Sequence, residues 1–164
     1  MKKVRLLIFS VLLIIFDQFT KYLATIKLKD KKPFDLIPGV FQLNYLENRG
    51  SAFGMFHGKT LFLLIFTSII LIGILVVYFR LPVTKRFLPL RILSMFLIAG
   101  AIGNMIDRFI YHYVVDFLYF ELINFPVFNV ADIYITVTAF LVLVLCLFYY
   151  KEEDFDAIFP KKRA

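Results

Sequence analysis

The chain has 164 residues, of which 61% are apolar and only 19% are charged. The charged share lies below the roughly 25% that is usual for a soluble domain. This composition excludes a disordered chain, a collagen-like repeat and an ordinary soluble enzyme. The length leaves room for about four membrane spans of ~20 residues each. We therefore expect one integral membrane domain over residues 1–164.

Four apolar runs predict four membrane-spanning helices, at about residues 6–24, 61–79, 92–108 and 133–150. Basic residues precede the first run, as they do in a signal peptide, but no small-residue cleavage site follows it. We therefore expect the first helix to remain uncleaved.

The net charge of +7 comes from 19 basic and 12 acidic residues. The basic residues lie mostly between apolar runs, so they indicate orientation in a membrane and no binding of nucleic acid. Eleven lie at the N-terminus, in the loop between spans two and three and in the tail, against seven in the other two loops. Both termini are therefore expected to be cytoplasmic.

One basic cluster opposes this orientation, and we call it the lysine turn: Lys27, Lys29, Lys31 and Lys32. If it lies outside, it would instead attract anionic lipid headgroups on the outer face.

The outer loops contain strand-like patterns. Phe41, Leu43 and Tyr45 alternate with polar residues, and residues 113–116 and 125–128 are rich in aromatic and β-branched side chains. They predict a small sheet at the membrane surface.

Residues 51–56 are expected to form a short interfacial helix, and residues 151–164 a solvated tail. The predicted fold class is an all-α membrane protein with four transmembrane helices, a small extracytoplasmic β-sheet and a short interfacial helix.

Polar residues inside or beside membrane spans are costly, so each needs a partner or a task. The predicted topology brings four aspartates to one face of the membrane: Asp17, Asp107, Asp116 and Asp132. The same layer receives two residues of another outer loop, Asn48 and Gly50.

Two groups of these residues predict structural contacts. Asp17 and Lys21 are one helical turn apart and predict an ion pair, with a contact to substrate or a lipid headgroup as the alternative. Asn104, Asp107 and Arg108 close the third span and predict a structural network. Within it, Arg108 is suited to hold a carboxylate through two parallel hydrogen bonds.

Asp116 and Asp132 lie in apolar surroundings with no basic neighbour in sequence. Burial disfavours their charged forms, and two facing carboxyl groups would share one proton. One would then take a proton from water while the other polarises a carbonyl, as in an aspartic protease. A proton relay and two unrelated helix caps remain as alternatives.

Other chemistries have weaker support. His57 and His112 are the only histidines and form no HExxH pair, so we expect no zinc site, and no cofactor motif occurs. Ser10, Ser68 and Ser94 lie deep in spans and are expected to bond their own helix backbone. Cys146 has no partner for an internal disulfide.

Five short motifs follow one another along the chain: DQFTK at 17–21, NRGSAFG at 48–54, GAIGNMIDR at 100–108, VVDF at 114–117 and FNVAD at 128–132. In this order they resemble the motifs of the lipoprotein signal peptidases, also called signal peptidase II. The resemblance implies a multi-pass protein of the bacterial cytoplasmic (inner) membrane with its active site near the extracytoplasmic face. It implies removal of the signal peptide from diacylglyceryl-modified prolipoproteins, just before the lipidated cysteine.

The resemblance also implies residue roles. Asp116 and Asp132 would activate water without a metal. Further positions match residues that shape the pocket and hold substrate: Asn48, Gly50, Asn104, Arg108 and Asn129. Three more match supporting residues: Asp17, Lys21 and Asp107. Membrane lipids and globomycin-type inhibitors are the other implied partners.

The chain departs from the family pattern at Arg49 and Ser51, which affects the loop over the site, and at Ile133, where relatives often have Ser. A proton-coupled transporter and a noncatalytic lipid-binding scaffold are the rival functions. A relay would continue toward the cytoplasm, yet the spans at 61–79 and 133–150 hold no ionisable group except tyrosines and Cys146.

Overall fold

Four long helices dominate the computed structural model, which describes residues 2–50 and 58–159. They are α1 (Lys2–Leu28), α2 (Thr60–Arg80), α3 (Leu88–Tyr111) and α4 (Val130–Phe148). Each contains a stretch long and apolar enough to cross a membrane. The four predicted spanning helices are thus present.

The helices do not begin and end at the same residues as the apolar runs. The first three helices extend beyond the runs at both ends, whereas α4 begins at Val130 and ends at Phe148. Asn129 and Asp132 form a capping box that starts α4 before its apolar run. A polar residue is therefore part of the first turn of this helix.

Helix α3 is the centre of the bundle and packs against α1, α2 and α4. Half of the residues in its most apolar stretch are buried, against 6% of those in the corresponding stretch of α2. Small residues permit this close packing. A Cβ atom added at Gly100 would lie 2.7 Å from the carbonyl oxygen of Ala131, and one at Gly103 would lie 2.5 Å from Oδ2 of Asp17.

The sheet has three antiparallel strands in the order β1 (Phe34–Ile37), β2 (Phe41–Asn48) and β3 (Val114–Phe120). The left-handed conformation of His112, with φ of 63°, ends α3 and turns the chain directly into β3. Val115 and Phe117 of β3 pack against Ala24 of α1, which holds the sheet on one end of the bundle.

The predicted sheet is confirmed, with differences at its edges. Residues 125–128 contribute only an isolated bridge between Leu118 and Phe128. Strand β1 was not predicted because its four residues are all exposed and show no alternation in burial. The predicted interfacial helix at 51–56 lies outside the described residues.

The described part of the tail is largely exposed, as expected for a solvated tail, but it also forms a helix that is anchored at one residue. Residues Glu152–Ile158 form a short helix, α5, and Ile158 is buried in an apolar cluster with Tyr78, Phe87 and Tyr150. The sequence of the tail mixes charges, and among residues 151–159 only Ile158 is buried against the end of the bundle opposite the sheet.

The prediction for the three serines is confirmed. The hydroxyls of Ser10, Ser68 and Ser94 donate to carbonyl oxygens three or four residues earlier in their own helices. Each of the three hydroxyls is therefore paired with the backbone of its own helix.

Candidate active site

Asp116 is positioned by the pairing of β3 with the central strand β2. It lies in β3 opposite Leu46 of β2, and its side chain is 1% exposed. Two amides hold its carboxylate. Nδ2 of Asn48 donates to Oδ2 at 2.8 Å, and Nδ2 of Asn129 donates to Oδ1 at 2.6 Å. A residue from each of three separate segments thus meets at this carboxylate.

Asp132 is placed by the first turn of α4. Its backbone N–H donates to Oδ1 of Asn129 at 3.0 Å, and its Oδ2 accepts from the Asn129 backbone N–H at 3.1 Å. Its Oδ1 accepts from Nδ2 of Asn104 at 2.8 Å. The helix-cap alternative therefore holds for Asp132 alone, because Asp116 lies within β3, and the capping residue Asn129 also bonds Asp116.

Asn129 joins the two carboxyl groups. Its side-chain amide donates to Asp116, while its backbone N–H donates to Asp132. Each of the four carboxylate oxygens accepts one N–H hydrogen bond and keeps further accepting capacity. A partly exposed Asp132 beside a fully buried Asp116 leaves one side of the pair open.

The proximity of the pair changes the acidity of Asp116. Burial disfavours its charged form, and the negative charge of Asp132 adds to that effect, so the pKa of Asp116 is raised to about 7. The hydrogen bonds from Asn48 and Asn129 act in the opposite direction. A carboxyl group with this pKa is partly protonated at neutral pH.

A buried cation lies behind the carboxylates. Lys21 is 3% exposed, and its ammonium group contacts three oxygens: Oδ2 of Asp17 at 2.9 Å, Oδ2 of Asp107 at 3.1 Å and Oδ1 of Asn104 at 2.9 Å. The ion pair predicted for Asp17 and Lys21 is thus present. All three N–H donors of the ammonium are occupied by side chains of this network.

Asp17 and Asp107 connect this network to the backbone of the site. Oδ1 of Asp17 accepts from the backbone N–H of Ala131 at 2.9 Å, and Oδ2 of Asp107 accepts from that of Val115 at 3.1 Å. Ala131 and Val115 each immediately precede one of the two paired aspartates. The two supporting carboxylates therefore fix the backbone on which the pair is carried.

Gln18 belongs to the same network, although the sequence analysis did not single it out. Its Nε2 lies 2.9 Å from Oδ1 of Asp107 and 3.2 Å from both the Gly103 carbonyl oxygen and Oδ2 of Asp17. Its place beside Asp17 on a polar stretch of an apolar helix was the available indication.

Arg108 differs from expectation. The structure shows its Nη2 donating to the carbonyl oxygen of Gly50 at 3.2 Å, and no bidentate contact with a carboxylate is found among residues 2–50 and 58–159. The backbone N–H of Gly50 in turn donates to Oδ1 of Asn48 at 2.9 Å. Arg108 and Gly50 thus position the end of β2, which carries Asn48.

Metal-binding residues do not gather in the described part of the chain, where no group of three or more His, Cys, Asp and Glu side chains has the geometry to hold an ion. His57 lies outside the described residues, and His112 ends α3 in the left-handed conformation noted above.

Comparison with known proteins identifies relatives along nearly the whole chain. A family model described as "Signal peptidase (SPase) II" matches residues 9–148. The lipoprotein signal peptidase of Clostridium novyi (strain NT) is 38% identical over 148 residues, which cover 88% of this chain and 97% of that protein. The lipoprotein signal peptidase of Caldanaerobacter subterraneus subsp. tengcongensis is 45% identical over 133 residues, covering 80% and 88%.

Two solved structures described as bacterial membrane enzymes have the same fold. The first has a TM-score of 0.77 at 32% identity and covers 99% of this chain and 93% of its own. The second has a TM-score of 0.75 at 33% identity and covers 91% and 94%.

Proposed function

Since the chain belongs to the signal peptidase II family, we propose that it cleaves diacylglyceryl-modified prolipoproteins just before the lipidated cysteine, with Asp116 and Asp132 activating water. As a member of this family, the chain is a peptidase that removes signal peptides from prolipoproteins, and it is a multi-pass bacterial membrane protein.

The observation that supports the aspartic mechanism is that Asn129 bonds both carboxyl groups, Asp116 through its side-chain amide and Asp132 through its backbone N–H. With one proton on the pair, the ionised carboxylate accepts a proton from water as the water oxygen attacks the scissile carbonyl carbon. The protonated carboxyl donates its hydrogen bond to the carbonyl oxygen and stabilises the developing negative charge. The proton taken from water then passes to the leaving amine, and the peptide C–N bond breaks.

The N–H donors around the pair favour this protonation state. Four N–H hydrogen bonds stabilise negative charge on the carboxylates, while burial opposes a second charge. The balance keeps one proton on the pair near neutral pH, as both the base and the acid require.

The substrate-binding roles of the other residues are part of the same proposal. Asn48 at the end of β2, Gly50 just after it and Arg108 of α3 are linked by hydrogen bonds beside Asp116, and we expect the substrate backbone to lie along them. Asn104 and Asn129 hold the carboxylates and border the open side of Asp132. Lys21 supports the site through Asn104, and Asp17 and Asp107 support it through the backbone N–H groups of Ala131 and Val115.

The orientation in the membrane is also proposed. The excess of basic residues at the N-terminus, in the α2–α3 loop and in the tail supports cytoplasmic termini. The sheet and the aspartate pair then lie at the extracytoplasmic face, where a lipidated cysteine anchored in the outer leaflet can reach them. Residues 1–164 act as one domain, and globomycin-type inhibitors would occupy the same site.

The experiment is cleavage of a synthetic lipobox peptide by the purified full-length chain in lipid. We expect mass spectrometry to show hydrolysis just before the diacylglyceryl cysteine, inhibited by globomycin. A matched peptide with an unmodified cysteine should be cleaved far more slowly. Equal cleavage of both peptides, or cleavage at another bond, would contradict the proposed substrate.

A further inference from the structure

We propose that the lysine turn and an adjacent apolar surface bind the headgroups of anionic phospholipids and hold the sheet in the bilayer surface. We call this surface the apolar edge patch and define it by five residues: Phe34, Leu36, Ile37, Leu122 and Ile123. It goes beyond the proposed peptidase function, because neither the lysine turn nor the patch contributes a side chain to the aspartate network.

The apolar edge patch is strongly exposed. Strand β1 is an edge strand, paired with β2 on one side only, and Phe34 and Ile37 are 59% and 55% exposed. Leu122, in the short 3-10 turn after β3, is 69% exposed. Its backbone N–H donates to the Val40 carbonyl oxygen at 3.4 Å, which brings this turn beside the β1–β2 turn. Such an apolar edge left in water is prone to aggregation, so it requires a cover.

The lysine turn provides the charge. A left-handed Asp30, with φ of 59°, and a hydrogen bond from the Lys31 N–H to the Leu28 carbonyl compact the chain between α1 and β1. Lys29 pairs with Glu47 at 2.9 Å. Among residues 2–50 and 58–159 no carboxylate pairs with the exposed Lys27, Lys31 or Lys32. Three cations at the base of the sheet are therefore left to bind an external anion.

Continuity with the spanning surface indicates that the occupant is lipid. On α1, the exposed side chain of Ile26 lies directly before Lys27, and that of Tyr22 lies one helical turn before Ile26. Apolar surface followed by cations matches the order of hydrocarbon and anionic headgroups in a bilayer. An added peptide strand would use the free edge of β1 but would leave the lysines without a partner.

A tryptophan placed in the patch tests this directly, because the chain contains none. The full-length Phe34→Trp variant is reconstituted in nanodiscs of phosphatidylcholine alone or mixed with phosphatidylglycerol, each with a trace of dansyl-labelled phosphatidylglycerol. We expect energy transfer to the dansyl lipid above random mixing in phosphatidylcholine, reduced by unlabelled phosphatidylglycerol and by salt.

The matched charge variant is Lys27→Gln/Lys31→Gln/Lys32→Gln, which retains the Lys29–Glu47 pair. One lysine near an anionic surface changes partitioning by about fivefold, so this triple variant should lose most of the enrichment. The control is Lys85→Gln/Lys151→Gln at the other end of the bundle, which should keep it. Thermal unfolding confirms that each variant is folded. A Leu122→Trp reporter repeats the measurement without altering β1.

Two results would overturn the proposal. Random lipid mixing around both reporters would show that the surface does not select anionic headgroups. A tryptophan spectrum typical of water in every bilayer, shifting only on addition of a lipobox peptide, would make the edge a peptide-binding strand instead. Neither result depends on turnover, so the peptidase function is tested separately.

Discussion

Three asparagines in the site have amide orientations set by their neighbours. The side-chain oxygen of Asn48 accepts from the Gly50 N–H, and that of Asn129 accepts from the Asp132 N–H. The oxygen of Asn104 accepts from Lys21. In each case the NH2 group is left to face a carboxylate. The site is thus arranged to receive negative charge and to position it, and no cation among residues 2–50 and 58–159 is in direct contact with either aspartate.

Changing one of these amides should move the pH profile. Burial and the charge of Asp132 raise the pKa of Asp116 to about 7, and the Asn48 hydrogen bond lowers it. Activity should fall as the pH rises through about 7, when the shared proton is lost. In Asn48→Ala the pKa of Asp116 rises further, so the alkaline limb of kcat/KM against pH should shift to higher pH.

The control for this profile is Asn124→Ala. Asn124 accepts a hydrogen bond from the Tyr119 hydroxyl in an exposed turn, away from the carboxylates. Its removal should leave the pH dependence unchanged. An Asn48→Ala profile identical to that of the parent chain, or shifted to lower pH, would show that this amide does not tune Asp116.

At the residue scale, sequence predicts which side chains gather but not all of their contacts. Placing a carboxylate inside or beside a membrane span costs free energy, so such a residue needs a partner or a function. Asp17, Asp116 and Asp132 could be identified as candidates on this ground alone. The backbone N–H groups bound by Asp17 and Asp107 could not be predicted, since any residue type supplies one. The acceptor of Arg108 is a backbone carbonyl oxygen, which could not be predicted for the same reason. Every residue supplies such an oxygen, and only the folded geometry selects one.

At the scale of elements, α3 brings the rest of the bundle to the site. Half of its buried residues are small, so α1 and α4 approach close enough for Asp17 to reach the Ala131 backbone. The same face carries Asn104 and Asp107. The same face of α3 therefore provides both the close packing and the polar network.

Adding a methyl group to this face should destabilise the protein. In Gly103→Ala the new Cβ would lie 2.5 Å from Oδ2 of Asp17, which is held by Lys21. We expect a loss of about 1–3 kcal/mol in the free energy of unfolding, typical of overpacking. Gly73→Ala is the matched control, because nothing lies within 4 Å of its added Cβ, and it should change stability by less than about 1 kcal/mol.

Thermal or denaturant unfolding in one detergent measures both glycine variants. Equal stability of Gly103→Ala and Gly73→Ala would mean that Asp17 moves aside freely and that the network is looser than the hydrogen bonds indicate.

Elements with weak sequence patterns, such as β1 and α5, could not be predicted from sequence. Their positions depend on tertiary pairing with β2 and with the α2–α3 loop rather than on periodicity.

At the scale of the whole molecule, the two ends of the bundle have different tasks. One end carries the sheet and the aspartate network. The other is closed by α5, where Arg86 pairs with Asp154 at 2.8 Å, donates to the Tyr149 carbonyl and stacks on the Tyr149 ring. This pairing lowers the pKa of Asp154 and raises that of Arg86. The long-range arrangement follows from four apolar runs, while the closure by α5 does not.

The proposed orientation can be tested by labelling single cysteines in intact cells. The background is Cys146→Ser, since Cys146 is the only native cysteine. Lys31→Cys, in the lysine turn, should react with a membrane-impermeant thiol reagent from outside. Lys85→Cys, in the α2–α3 loop, should react only after the membrane is permeabilised. The reverse pattern would invert the proposed topology.

The most direct measurement of the central claim is the turnover of a diacylated lipobox peptide by Asp116→Asn and Asp132→Asn. Each should lose at least about a hundredfold in kcat, because each removes one acid–base group of the pair. Asp154→Asn, the same chemical change in α5, should retain the parent rate, and thermal unfolding should show all three folded. Near-parental turnover by either site variant would contradict the assignment of that aspartate to the reaction.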